Sequence, residues 1–301
     1  MIEHDVIHHA SLPVWGWEIP VYLFLGGVAA GLMILSALAS RRIGPCCRST
    51  VMRWLPFAAP LILSIGMGAL FLDLDSKLHV FRFYTAFRIT SPMSWGSWIL
   101  LAIYPAAILW GLSRFDSGAP GVFSGRIARL IAFAKSHERF LERANIALGV
   151  ALGAYTGVLL ATLGARALWS SLLLAPLFLV SGVSTGAAVV MLLPINEKEH
   201  ELFRRWDIAA IAVELTLLFA FFVNLTADGG ERGRMAARLF FGGPYTATFW
   251  SIVVIAGLIV PLLLERLEER RLTRVTVLAP ALLLIGGLAL RWIFVAAGQL
   301  T

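Results

Sequence analysis

Eight stretches of mainly apolar residues, each near 20 residues long, dominate this 301-residue chain. They lie at about 19–39, 55–75, 95–113, 145–164, 168–192, 206–226, 246–264 and 275–297. At 1.5 Å of rise per residue, roughly 20 residues cross the ~30 Å hydrocarbon core of a bilayer. A segment surrounded by lipid must satisfy its own backbone polar groups, so stretches of this length become helices rather than open strands. The expected fold class is therefore all-α integral membrane, with about eight transmembrane helices. Composition agrees: 59% of residues are hydrophobic, 14% are charged and the mean hydropathy is +0.82. A soluble domain carries roughly 25% charged residues. Disordered, collagen-like and disulfide-rich secreted chains are excluded on the same grounds.

The net charge of +7 points to membrane topology rather than to nucleic acid. Loops that stay in the cytoplasm collect Lys and Arg. The stretches after the first, third, fifth and seventh spans hold 17 of these residues, and the opposite side holds seven. This bias predicts that both termini and the 76–94 loop face the periplasm of a bacterial cytoplasmic membrane. The N-terminal MIEHDVIHHASLPVWGWEIP lacks a basic n-region followed by an apolar run, so it does not read as a cleaved signal peptide. The segment 122–143 alternates apolar and basic residues and is expected to lie as an amphipathic helix on the cytoplasmic interface. Gly149, Gly153, Gly157, Ala161 and Ala165 recur every four residues, and Gly27 and Gly31 do the same in the first span. Such small-residue stripes let helix backbones approach closely.

The histidines limit the redox chemistry. A membrane b-type haem takes axial ligands, usually His, from facing helices in the core. His4, His8, His9, His79, His137 and His200 all avoid the middle of a span. The two cysteines, Cys46 and Cys47, are adjacent and too few for a tetrathiolate iron–sulfur or zinc site. No haem and no metal are expected in this chain.

Polar residues gather at the outer ends of the spans. Trp17, Glu18 and Tyr22 open the first, with Glu18 and Tyr22 on one face at i, i+4 spacing. Asp73 and Asp75 end the second and are followed by Lys77 and His79. Ser91, Pro92, Ser94 and Trp95 open the third, Arg166 and Trp169 link the fourth to the fifth, and Tyr155 lies about 16 Å deeper than Arg166. Trp and Tyr at headgroup depth also form an ordinary interfacial belt. Carboxylates, a tyrosine hydroxyl and aromatic walls nevertheless suit a quinone. Its ring needs hydrogen bonds at two oxygens, a proton donor or acceptor, and apolar contacts for its tail. Glu214 lies in the sixth span, about 10 Å from Asp207 at the inner end. A carboxylate at that depth is either paired and structural or part of a proton route. Asn224 and Arg291 lie nearer the outer side.

Five stretches resemble the NrfD/polysulfide reductase membrane-subunit family: WGWEIPVYLFLGGVAAG (15–31), DLDSKLHVFRF (73–83), TSPMSWGSWIL (90–100), YTGVLLATLGARALW (155–169) and LLLIGGLALRWIFVAAGQ (282–299). The resemblance implies two four-helix bundles, residues 1–164 with a quinone site near their outer face and residues 165–301. It implies a haem-free subunit that binds menaquinone or ubiquinone. A docked ferredoxin-like iron–sulfur subunit on the periplasmic side would exchange electrons with a catalytic subunit, often a molybdopterin enzyme. Quinone/quinol oxidoreductase activity would then exist only in the assembled complex. Carried over by motif, the quinone-site candidates are Tyr22, Asp73 and Tyr155, with Glu18 beside them. Arg166 and Trp169 match an Arg-x-Leu-Trp element. Asp73, Glu18 and Glu214 are the expected proton-handling groups. Trp17, Tyr22, His79, Tyr155, Arg166 and Trp169 are the expected quinone contacts. Two other readings stay open: a proton-translocating or transporter-like module, to which Glu214 and Asp207 would belong, and a membrane anchor without quinone chemistry.

Overall fold

The computed structural model describes residues 15–44, 48–73, 91–115, 125–162, 166–227, 229–270 and 277–301. His4, His8, His9, Cys46, Cys47, Asp75, Lys77, His79, Arg82 and Arg88 lie outside these residues. The described elements are helical: α1 (Glu18–Arg42), α2 (Thr50–Asp73), α3 (Pro92–Leu112), α4 (Arg126–Ser136) and α5 (Glu138–Ala161). There follow α6 (Leu174–Met191), α7 (Glu197–Ala227), α8 (Gly230–Arg238), α9 (Thr246–Glu269) and α10 (Leu278–Gly298). All but α4 and α8 are long and apolar enough to cross a membrane, which gives eight candidate spans. The protein is a multi-pass integral membrane protein.

Helix ends follow local chemistry. Pro92 begins α3, where its missing N–H would have had no helical partner. Asn196 and Glu199 form a reciprocal cap at the start of α7. Glu199 N–H donates to Asn196 Oδ1 at 3.0 Å, and Asn196 N–H donates to Glu199 Oε2 at 3.1 Å. Ser49 N–H donates to the other Glu199 oxygen at 2.8 Å, tying the segment before α2 to α7. The cap carries α7 nine residues beyond the expected start at 206. The amphipathic stretch divides at His137: α4 is a separate helix that packs on α3 and buries Ile131 and Ala134, while α5 runs on into the fourth span. Phe249–Ile259 within α9 has π-helical winding.

Packing is organised around α1, whose apolar window is 78% buried against 33% for α9. α1 therefore forms the centre and α9 lies at the periphery. α1 packs on α2, α5, α6 and α10. The glycine stripes make this possible. A β-carbon on Gly31 would collide with the Gly182 carbonyl of α6, and one on Gly186 would stand 2.8 Å from the Gly31 Cα. Gly149 lies over the Ala30 carbonyl, and Gly157 lies on the Leu174–Ala175 backbone. With no hydrophobic drive between helices inside lipid, this close fit and its van der Waals contact hold the bundle together.

The first and last described segments meet on one side. Trp15 N–H donates to Gln299 Oε1 at 3.0 Å, and Gln299 Nε2 returns a bond to the Trp15 carbonyl at 3.3 Å. An even number of crossings requires this, and the bonds fix it. The fifth span begins at Leu174 rather than near 168, because residues 166–173 turn to engage α10. The seventh spanning helix runs to Glu269 rather than 264, because Glu265 and Glu268 are buried against the rest of the protein instead of entering a loop.

Candidate functional site

Trp169, Arg166, Trp17 and Glu18, all expected site residues, lie at the terminal side. The Trp169 indole N–H donates to the Phe294 carbonyl at 2.9 Å, and its ring stacks on Trp15 with centroids 5.1 Å apart. Arg166 donates to the carbonyls of Gly298, at 3.2 Å, and Gln299, and its guanidinium stands 5.6 Å from the Trp169 ring. Gly298 and Gln299 stand at the end of α10, where carbonyls have no partner within the helix itself. Trp17 is half exposed and lines an open pocket of about 320 Å³ with Pro20, Tyr245, Trp292 and Leu300. Burial pushes the Tyr245 phenol up, so at neutral pH it remains a hydrogen-bond donor beside that pocket. Glu18 is half-buried in the first turn of α1, with its carboxylate folded over Gly16. The partial positive charge of a helix N-terminus suits an anion there.

Tyr22 and Tyr155 lie within the packing of α1, α2, α3 and α5. Tyr22 is 2% exposed, and its ring and carbonyl border Gly66 of α2. Tyr155 is buried with its ring pressed on Gly96 of α3, where a β-carbon would overlap it. Gly26 faces Thr156, so α1 and α5 touch between the levels of the two tyrosines. Tyr22 stands one turn, about 6 Å, nearer the terminal side than that contact. Buried Ser94 and Ser97 of α3 add hydroxyls to the same region. Asp73 ends α2 with its residue surface exposed. Tyr22 and Trp169 belong to one continuous apolar cluster, which joins the tyrosine region to the α10 end. His79 lies outside the described residues.

Glu214 belongs to a different place. One face of α7 carries His200, Arg204, Asp207 and Glu214 at spacings of four, three and seven. Ser181 of α6 hydrogen-bonds the Glu214 carboxylate and accepts from Arg291 Nη1 of α10 at 2.7 Å. Arg291 also donates to the Gly287 and Phe178 carbonyls at 3.0 and 3.2 Å. One turn from Ser181, Ser184 Oγ donates to Asp207 Oδ1 at 2.6 Å. Towards the start of α7, Arg204 Nη1 donates to Glu268 Oε1 at 2.9 Å, and His200 Nδ1 lies 3.3 Å from the same oxygen. The buried Glu265 and Glu268 do not stand out in the sequence. They sit at the end of an apolar run followed by arginines, where hydropathy places a loop. Their spacing to each other, i and i+3, is the available signal.

The arrangement offers two kinds of chemistry. The tyrosine region provides apolar walls and hydroxyls, with carboxylates at its rim. The α7 face provides a buried file of acids and bases. Among the described residues, no three or more His, Cys, Asp or Glu side chains group as a metal site. The family model described as "Polysulphide reductase, NrfD" matches residues 5–301. Protein NrfD of Escherichia coli is 32% identical over 100% of this chain and 99% of its own length. The C subunit of the Wolinella succinogenes polysulfide reductase is 30% identical, covering 97% and 96%. The Hdr-like menaquinol oxidoreductase integral membrane subunit of Archaeoglobus fulgidus is 23% identical, covering 79% and 58%. With eight candidate spans and a match along nearly its whole length, the protein belongs to the NrfD polysulphide reductase family of oxidoreductase-complex membrane subunits.

Proposed function

We propose that this protein binds a quinone or quinol within the first bundle, residues 1–164, and exchanges electrons with an iron–sulfur subunit docked on the terminal side. The observation that carries the reading is the pair Tyr22 and Tyr155, held inside apolar helix packing against glycines of α2 and α3. A neutral hydroxyl can bond a quinone oxygen without burial of a charge. Reduction of a quinone consumes two electrons and two protons. Asp73 and Glu18, at helix ends, are the groups in reach of water that would exchange those protons. Trp17, Arg166 and Trp169 would frame the site at the α10 end, and His79 follows Asp73 in the sequence. The name of the Archaeoglobus relative supports menaquinol as the first substrate to test, with ubiquinone as the alternative. A molybdopterin catalytic subunit would complete the complex. The basic bias of the loops supports a periplasmic terminal side in a bacterial inner membrane, and residues 165–301 would form the second bundle.

The test is quinone binding and quinol-linked turnover of the purified complex. Tyr22→Phe and Tyr155→Phe should weaken binding, and Asp73→Asn should lower turnover more than binding. Unchanged binding and turnover in all three variants would overturn the assignment. A second reading, proton handling in the second bundle, is favoured by one observation: the file of buried acids and bases on α7, with Glu214 at its deep end. Proton uptake and release by the complex in sealed vesicles tests it.

A further inference from the structure

The buried charges of α7 and its neighbours do not balance. Apart from Glu199, whose oxygens accept backbone N–H groups, four carboxyl groups are enclosed: Asp207, Glu214, Glu265 and Glu268. Two guanidinium groups face them, Arg204 and Arg291. Arg204 is bonded to Glu268, with His200 on the same oxygen. Arg291 is joined to Glu214 through Ser181. Asp207 and Glu265 are left to each other.

These two side chains are 0% and 2% exposed and their carboxyl groups meet. Asp207 Oδ1 accepts from Ser184. Asp207 Oδ2 and both Glu265 oxygens are fully enclosed and receive no donor hydrogen from the described residues. Arg204 Nε is enclosed beside them, also without an acceptor among the described residues. As two carboxylates, the groups would set acceptor against acceptor and like charge against like charge in a medium of low dielectric. Two such carboxylates in contact cannot both stay ionised. A single proton removes one charge and converts the contact into an O–H···O⁻ bond, which is short and strong. A metal cation would have to sit beside the Arg204 guanidinium, which repels it.

We infer that Asp207 and Glu265 form a proton-binding site within the membrane domain, one proton shared between two carboxyl groups, in exchange with the side on which α7 begins. The route is set by the neighbours. Glu265 lies about 6 Å from the end of α9 at Glu269. Glu268 stands one turn closer to that end and touches His200, whose side chain is 12% exposed. A proton taken from water at His200 would pass by Glu268 to the pair and return the same way, so no bond beyond O–H and N–H is made or broken. This inference does not rest on the quinone reading.

Infrared difference spectroscopy of the assembled complex tests it. At neutral pH the wild type should show a protonated-carboxyl C=O band that shifts in D2O. Asp207→Asn and Glu265→Gln should each abolish the band, while the new amide can keep the contact by donating to the remaining oxygen. Absence of the band in the wild type would overturn the proposal, as would a band that survives both variants. Loss of the band on addition of sodium would also overturn it, by assigning the site to a metal cation. Should the variants fail to accumulate, dicyclohexylcarbodiimide decides on the wild-type complex, because it reacts with protonated carboxyl groups in apolar surroundings. An adduct mapped by mass spectrometry to Asp207 or Glu265 is the expected result, and none on either residue would refute it.

Discussion

The guanidinium of Arg291 lies against the backbone of Gly27: a β-carbon there would stand 2.9 Å from Nη2 and 3.5 Å from the Gly182 Cα. A glycine of the α1–α6 contact thus also makes room for a buried cation from α10. Gly27→Ala should overpack this junction and cost about 1–3 kcal/mol. Gly68→Ala, on a helix surface with nothing within 4 Å, should be neutral or slightly stabilising, since alanine has the better helix propensity. Thermal unfolding of the two variants in the same detergent checks the contrast.

Ser181 mediates between Glu214 and Arg291, so loss of the carboxylate charge should leave the guanidinium buried without its counter-charge. Breaking a buried pair from one side costs about 3–5 kcal/mol. Glu214→Gln should therefore lower the unfolding temperature clearly. Glu214→Leu combined with Arg291→Met should recover part of that loss, because no lone charge remains. If Glu214 also carries protons, Glu214→Gln in the complex that does assemble should show reduced proton translocation. Normal stoichiometry there would remove that role.

Trp169 and Arg166 hold the end of α10 and, with it, Trp15 in the segment before α1. Trp169→Phe keeps the ring on Trp15 but removes the bond to the Phe294 carbonyl, a loss of about 0.5–1.5 kcal/mol. Hydrogen exchange of residues 295–301 should become faster. A variant with normal exchange but weakened quinone binding would show that the indole N–H serves the ligand rather than the helix end.

The fold is legible because spanning length and apolar composition leave so few alternatives. The eight spans follow from those two properties, and the glycine spacing in the first and fourth marks the contacts that Gly31 and Gly149 make. The ends are harder to read. Trp169 sits in a run that hydropathy treats as the start of a span, but its indole N–H and the Arg166 guanidinium are drawn to α10 carbonyls more than 120 residues later. Glu265 and Glu268 read as loop residues because no sequence rule reveals that α7 brings Asp207 and Arg204 beside them. Tyr22 and Tyr155 are legible through the motifs that hold them. Their burial depends on Gly66 and Gly96, whose partners lie on other helices.

The ring of Tyr155 pressed on Gly96 gives the sharpest test of the proposed quinone site. Gly96 leaves only enough space for the phenol, so Gly96→Ala must displace that ring by the volume of a methyl group. If the Tyr155 hydroxyl bonds the quinone, displacement and removal should act alike. Tyr155→Phe should weaken binding by about 0.5–1.5 kcal/mol, the worth of one neutral hydrogen bond, which is roughly 2- to 13-fold in Kd. Gly96→Ala should weaken it at least as much, since it moves the ring as well as the hydroxyl. Combining the two should give much less than the sum, because both act on one bond. Tyr22→Phe, on a different helix, should add to either. The measurement is quinone affinity of the assembled complex by fluorescence quenching or calorimetry, with thermal unfolding run in parallel. Overpacking alone would lower stability in Gly96→Ala without changing affinity in Tyr155→Phe, and that pattern would move the site away from α3 and α5.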